Sequence, residues 1–244
     1  MSVENTQATA LRVLAQLRHD RRTLALVLVV PPALLTLLRY VFDASPGTFA
    51  RIGPPLVGLF PLIVMFLITS IAMLRERTTG TLERLMSMPL AKLDLLLGYG
   101  LAFAVLATVQ AAVTSTVAFS WLGLHTSGSV LAVGALAIAN AVLGMALGLF
   151  LSAFASTEFQ AVQFMPAVLF PQVLLSGLLA PRDDMPHALR IASDLLPVTY
   201  AYDALTRVTG GRGGARLWLD IGVMLGAILL SLMLGAATLR RRTP

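Results

Sequence analysis

The residues in this chain that could carry catalysis are present, but their spacing argues against each use in turn. The histidines His19, His125 and His187 stand far apart, with no second His at metal-ligand spacing. Ser176 precedes Gly177 but lacks the preceding glycine of a nucleophile elbow. The cluster Gly210-Gly211-Arg212-Gly213-Gly214 has no Lys-Ser or Lys-Thr after it, so it reads as a flexible link and not as a cradle for phosphates. Asp183-Asp184 could hold a cation, although a solvated loop capping a short helix that begins near Pro186 is the simpler reading. Cysteine is absent, which removes disulfides and thiolate metal sites. Enzymatic chemistry is not indicated.

The chemistry that remains is that of contact. A polar island, Arg75-Glu76-Arg77-Thr78-Thr79-Gly80-Thr81-Leu82-Glu83-Arg84-Leu85-Met86-Ser87-Met88-Pro89, lies between two long apolar runs. Gly80 and Thr81 break the preceding helix, Glu83 falls in the first turn of a new one where the dipole favours negative charge, and Pro89 stops it. The result is a helix of about two turns. Leu82, Leu85 and Met86 share one face, while Glu83, Arg84 and Ser87 point elsewhere. So short a helix is marginal alone in water and needs a surface. Lipid headgroups would serve, and so would a cytoplasmic protein.

The elements that must position this island are membrane spans. The 244 residues are 57% hydrophobic and only 12% charged, far from the roughly 25% charged share of a soluble domain. A formal net charge of +6 raises nucleic-acid binding, but the basic residues cluster at the ends of apolar runs, with no interleaved aromatics. Applying the criterion of about 20 apolar residues per crossing gives about six helices: 23–42, 54–74, 93–122, 130–155, 161–180 and 217–239. Runs such as Leu93-Asp94-Leu95-Leu96-Leu97 do not alternate, which argues against a β-barrel, so the expected fold is an all-α membrane protein. The first span lacks a signal-peptide cleavage pattern and is expected to remain. Residues 1–22 are expected to form an amphipathic N-terminal helix, in which Leu11, Leu14, Ala15 and Arg18 recur at helical spacing, and residues 23–244 the membrane domain. Basic residues at 12, 18, 21, 22, 75, 77, 84, 92 and 240–242 fall on one side, against a smaller set diluted by acids in one long loop. Both termini and the island are therefore expected in the cytoplasm of a multi-pass cell-membrane protein, and a bacterial one.

No Asp, Glu, Lys or Arg lies near the middle of an expected span, which counts against an ion-coupled carrier. Neutral polar groups such as Gln110, Asn140, Gln172 and Ser176 read first as interhelical hydrogen bonds. Asn140, Gly144, Gly148 and Ser152 recur every fourth residue, a stripe suited to close helix packing, and Gly222 and Gly226 repeat it weakly. Phe60, Met65, Phe66, Phe164, Met165 and Phe170 would wall a cavity for a lipophilic compound; ordinary packing explains them equally well.

The island and the restart Leu93-Asp94-Leu95-Leu96-Leu97-Gly98 resemble the segment after the second span of ABC-2 type transporter permeases, in particular drug exporters of the daunorubicin-resistance type. Phe170-Pro171-Gln172-Val173-Leu174-Leu175-Ser176-Gly177, continuing through Pro181, Met185-Pro186 and Leu196-Pro197-Val198-Thr199-Tyr200-Ala201, is similar to that family's fifth span and external re-entrant hairpin. The resemblance implies that Leu82 to Met88 is a coupling helix docking on a separate cytoplasmic ATPase. Arg75, Gly80, Thr81 and Pro89 would shape that junction, and Glu76, Arg77, Glu83 and Arg84 would make polar contacts to the ATPase or to the N-terminal helix around Thr6 to Arg22, which would be the family's connecting helix lying on the inner leaflet. Ser176, Gly177 and Pro181, with Gln172 nearby, would shape the outer gate. It implies two ATPase copies carrying ATP and Mg, a second permease, identical or related, and contact with membrane lipids but not nucleic acid. The chain itself would hold no cofactor or metal and would be a transport subunit, not an enzyme. A lipid or glycolipid exporter and an uncoupled membrane scaffold are the other readings.

Overall fold

The computed structural model of the chain describes residues 2–81 and 92–238. Helix α1 (Val3–His19) turns at Asp20, whose side chain accepts from the Thr23 amide and so caps α2 (Arg21–Val41). Next come α3 (Pro46–Thr78), α4 (Lys92–Thr116, extended by a π-helical turn to Trp121) and α5 (Val130–Leu151, with a 3-10 turn to Phe154). The chain then forms α6 (Glu158–Phe164), a π turn (Met165–Leu169) and α7 (Phe170–Leu175). Helices α8 (His187–Asp194), α9 (Pro197–Thr209) and α10 (Ala215–Thr238) complete it. The described residues contain no strand.

Five helices among the described residues are long and apolar enough to cross a membrane: Arg21–Val41, Gly47–Thr78, Asp94–Trp121, Val130–Phe154 and Ala215–Thr238. The expected span 161–180 is not one continuous helix. Pro166 and Pro171 each remove an amide donor from the ladder, the turn between them is π-helical, and regular structure stops at Leu175. The expected long loop near residue 200 also differs, because α9 buries Val198, Ala201, Ala204 and Leu205 in the bundle.

Helices α3 and α5 form the centre. The Asn140, Gly144, Gly148, Ser152 stripe faces α3 closely enough that a Cβ on Gly144 would lie 2.0 Å from the Leu62 carbonyl oxygen, and one on Gly148 2.4 Å from that of Phe66. Thr69 Oγ1 crosses this contact, donating to the Met65 carbonyl at 2.7 Å and lying 3.2 Å from that of Met145. Gly222 and Gly226 meet nothing within 4 Å, so the weaker repeat has no partner among the described residues. Outward, α2 exposes Leu26, Val29 and Leu37, and α10 exposes Leu225, Leu229 and Leu230, surfaces that suit hydrocarbon.

Candidate functional site

The island begins where α3 ends. Thr78 and Thr79 fold their hydroxyls back onto the Leu74 and Arg75 carbonyls, and Gly80 adopts φ +73°, the left-handed conformation that closes a helix. Thr81 is half-buried. Leu82, Glu83, Arg84, Leu85, Met86 and Pro89, and with them the expected short helix, lie outside the described residues.

The end of α3 is tied to other elements by charge. Arg75 Nε donates to Glu158 Oε1 at 2.7 Å and Nη2 to Oε2 at 3.1 Å, a two-pronged pair linking α3 to the first turn of α6. Glu76 lies 3.9 Å from Arg12 of α1, and that guanidinium donates to the Tyr99 hydroxyl of α4. The Ser2 amide donates to Asp94 Oδ2 at 3.0 Å, and Thr9 packs where a Cβ on Gly98 would stand 2.5 Å from it. Thus α1 is seated on the start of α4. Arg77 is half-buried, and its Nε and Nη2 find no hydrogen-bond partner among the described residues.

A cavity of about 600 Å³ opens beside this junction, walled by α1, α2, α3 and α4. Leu26, Val30, Val64, Leu67, Ile68 and Ile71 line one part of it. Gln16, Asp20, Thr23, Arg75, Glu76 and Thr79 line the rest. Two hydrogen bonds from Thr23 to Asp20, one from its hydroxyl and one from its amide, keep the Asp20 carboxyl below its ordinary value.

The opposite end carries a second polar cluster. Ser176 is buried and donates to the Val173 carbonyl at 2.7 Å, and Gly177 has φ +102°, where a Cβ would crowd Tyr202 at 3.2 Å. Gln172 Nε2 donates to the Val168 carbonyl at 3.1 Å, while its Oε1 is buried without a partner among the described residues. After Pro181, Arg182 Nη1 donates to Asp203 at 3.0 Å and Nη2 to Asp194, joining α8 and α9. Burial pushes the Asp203 carboxyl above its ordinary range, against the opposing pull of Arg182. Ser193 donates to the Leu175 carbonyl at 2.8 Å and is met by Thr199, which ties the start of α9 and the end of α8 to the end of α7. Of the six residues expected to wall a lipophilic cavity, Met65 and Phe66 are fully buried, Phe60, Phe164 and Met165 are half-buried, and Phe170 is exposed. None of the six lines the 600 Å³ cavity.

Sequence reasoning missed Arg12, Tyr99 and Arg182 as organising residues. Arg12 and Glu76 are 64 positions apart, and no periodicity links them. The signal for Arg182 was the acidity of the loop, read only as a topology count.

Residues 4–209 match the ABC-2 type transporter family. The chain belongs to that family. This ABC-2 chain is similar to ABC transporter G family member 20 of Dictyostelium discoideum, with 29% identity over 63% of this chain and 21% of the relative. It is similar to the probable multidrug ABC transporter permease YbhR of Escherichia coli, with 25% identity over 64% of this chain and 42% of the relative. Nodulation protein J of Rhizobium leguminosarum shows 30% identity over 50% of this chain and 45% of that protein. The aligned part thus spans less than half the length of each of these relatives. Family and apolar helices together make the ABC-2 chain a multi-pass membrane protein.

Proposed function

We propose that this chain is the permease subunit of an ATP-driven exporter that moves a lipophilic or amphipathic compound outward by alternating access. The observation that carries the reading is the junction at the end of α3. Arg75 and Glu76 tie the residues just before the island to α6, α1 and, through Arg12, Tyr99 of α4. A displacement applied to the island would therefore act on four helices together. Packed interfaces with discrete arrangements are suited to pass on such a displacement. In this reading Leu82 to Met88 docks on a separate ATPase that binds ATP and Mg. Two such ATPases serve two permeases, and the segment Glu158–Leu175 completes a sixth crossing. Both termini then lie in the cytoplasm and residues 176–201 form an external re-entrant hairpin. ATP can bias the membrane part only if the island contacts the ATPase differently in its two states. The multidrug name of the Escherichia coli relative favours a drug-like cargo over a glycolipid.

The test is co-purification in nanodiscs with the ATPase encoded nearest this gene, followed by a screen for compounds that change its hydrolysis rate. A stable complex is expected, and Glu83→Ala with Arg84→Ala should lower the compound-stimulated rate. Failure to form a complex with any ATPase refutes the reading. Because the chain has no cysteine, single cysteines placed at Ser87 and Asp183 report sidedness directly. Labelling of both from the same side contradicts the topology.

A further inference from the structure

We propose that Asn140 completes a joint in α3: through one buried water, its carboxamide serves the Val57 carbonyl that Pro61 leaves without an amide. The inference goes beyond the exporter reading and does not depend on it.

The first half of the pair follows from the backbone of α3. In a helix the amide of residue 61 donates to the carbonyl of residue 57, and proline has no amide to give. Pro54 and Pro55 free the carbonyls of Ala50 and Arg51 in the same way, but those two residues are exposed. Val57 is 0% exposed. Water from outside does not reach it. Membrane helices keep interior prolines where a neighbouring side chain or an ordered water satisfies the freed group.

The second half comes from α5. Asn140 is wholly buried, and neither its Nδ2 nor its Oδ1 has a partner among the described residues. The two helices run in step: Gly144 stands against Leu62, Gly148 against Phe66, and Asn140 against Gly58. A Cβ on Gly58 would lie 2.6 Å from Asn140 Nδ2 and 2.5 Å from Leu205 Cδ1 of α9, so the amide is held at the backbone of α3 with a leucine closing the side. Gly58 is the residue after Val57. An unserved donor and an unserved acceptor therefore meet across one helix contact. One water that accepts from Asn140 Nδ2 and donates to the Val57 carbonyl satisfies both, and two polar partners are enough to hold it.

The consequence is mechanical. A ladder amide holds its carbonyl at one angle, whereas a side chain and a water follow it over a range, so α3 bends at this level with its hydrogen bonds made. Beyond Pro61 the helix is locked to α5 by the Gly144 and Gly148 contacts; the part before it is the arm that moves.

The test uses the intact chain in nanodiscs, without ATPase or nucleotide, so its failure leaves the ATPase-complex test standing, and the reverse. Asn140→Leu, close to asparagine in shape, should lower the melting temperature by about 4–8 °C, because it strands the Val57 carbonyl. Beside Pro61→Ala the drop should be smaller, since the alanine amide now serves Val57. No drop in the unaltered background, or an equal or larger drop beside Pro61→Ala, overturns the proposal. Solid-state NMR reads the carbonyl itself whatever the stability. Valine precedes glycine only at 57–58 and 133–134, so isotope labels on valine carbonyls and glycine amides give two signals, and Val57→Ile identifies the first by its loss. Asn140→Leu should move the residue 57 signal upfield, and move it far less beside Pro61→Ala; an unmoved signal, or an equal movement in both backgrounds, overturns the proposal. The bending is read with spin labels on cysteines placed at Ala50 and Leu131, both exposed near the starts of α3 and α5. Pro61→Ala should narrow their distance distribution, and an unchanged width refutes the joint.

Discussion

The close backbone contact between α3 and α5 sets a sharp test in Gly144→Ala. A Cβ at this position would lie 2.0 Å from the Leu62 carbonyl oxygen, 2.7 Å from its carbon and 2.9 Å from its Cα. Reaching the 3.4 Å of ordinary contact means that α3 and α5 part locally by about 1.4 Å. The obstacle is backbone, so no rotamer change relieves it. The same separation lengthens the 3.2 Å contact from Thr69 Oγ1 to the Met145 carbonyl. Overpacking costs about 1–3 kcal/mol, and this site belongs at the upper end. Alanine regains about 1 kcal/mol in helix propensity over glycine. The net loss is about 2 kcal/mol, which for a chain of this size lowers the melting temperature by about 4–8 °C. Gly222→Ala and Gly226→Ala meet nothing within 4 Å and serve as controls expected to melt no lower than the unaltered protein. Thermal unfolding in detergent, followed by Trp121 and Trp218 fluorescence, reads all three. An unchanged or raised melting temperature for Gly144→Ala, or an equal drop in the controls, would refute the close α3–α5 packing.

Arg207→Leu should cost about 3–5 kcal/mol, because Asp220, whose side chain is 6% exposed, loses the guanidinium that donates to it at 3.0 Å; adding Asp220→Leu should recover much of the loss in the same melting assay. Arg75→Ala should cost less than about 1 kcal/mol of stability, since the Arg75 and Glu158 side chains are 57% and 53% exposed, and denaturant midpoints of the two single variants and the double variant measure the coupling. Asp203 supplies a pH dependence: its folded-state pKa is raised, so the folded protein binds the proton more tightly. Its contribution to stability is then largest at acid pH and falls as pH rises from about 4 through the raised value. Asp203→Asn should flatten that slope in melts taken across the range.

What was legible in the chain is what hydrocarbon demands. Length and apolarity located the crossings at α2, α3, α4, α5 and α10, because a span must satisfy its own backbone and present apolar side chains around most of its surface. The four-residue repeat from Asn140 to Ser152 announced a close helix contact, since only small residues admit a neighbouring backbone, but not that the neighbour is α3. Pro166 and Pro171 were visible but were absorbed into a continuous apolar run; hydropathy does not register a missing amide, and the break into α6, a π turn and α7 follows from that amide. Helix α9 was hidden for a related reason. Its buried side, Val198, Ala201, Ala204, Leu205 and Val208, is amphipathic and short, below the length at which a span is recognised. The cavity was the least legible feature. Its walls come from four helices, and Asp20, Glu76 and Tyr99 meet there only through the elbow after His19.

The ion pairs among the described residues fall into two groups separated by apolar helix, and their placement follows from the cost of charge in hydrocarbon. Arg12–Glu76 and Arg75–Glu158 gather where α3 ends. Arg39–Asp43, the Arg182 pairs and Arg207–Asp220 gather where α2 ends and α10 begins. On α3, Arg51 and Arg75 bracket about 36 Å of helix, a little more than the roughly 30 Å hydrocarbon core. A charge in that interval would have to be paired or neutralised, and the described part of α3 places none there. Asp220 marks the limit of the rule. It sits in the second turn of α10, deep enough to be buried, and it stays because Arg207 reaches it from α9. The short helix α9 therefore extends the polar boundary inward by supplying a cation to a carboxylate that is buried from water.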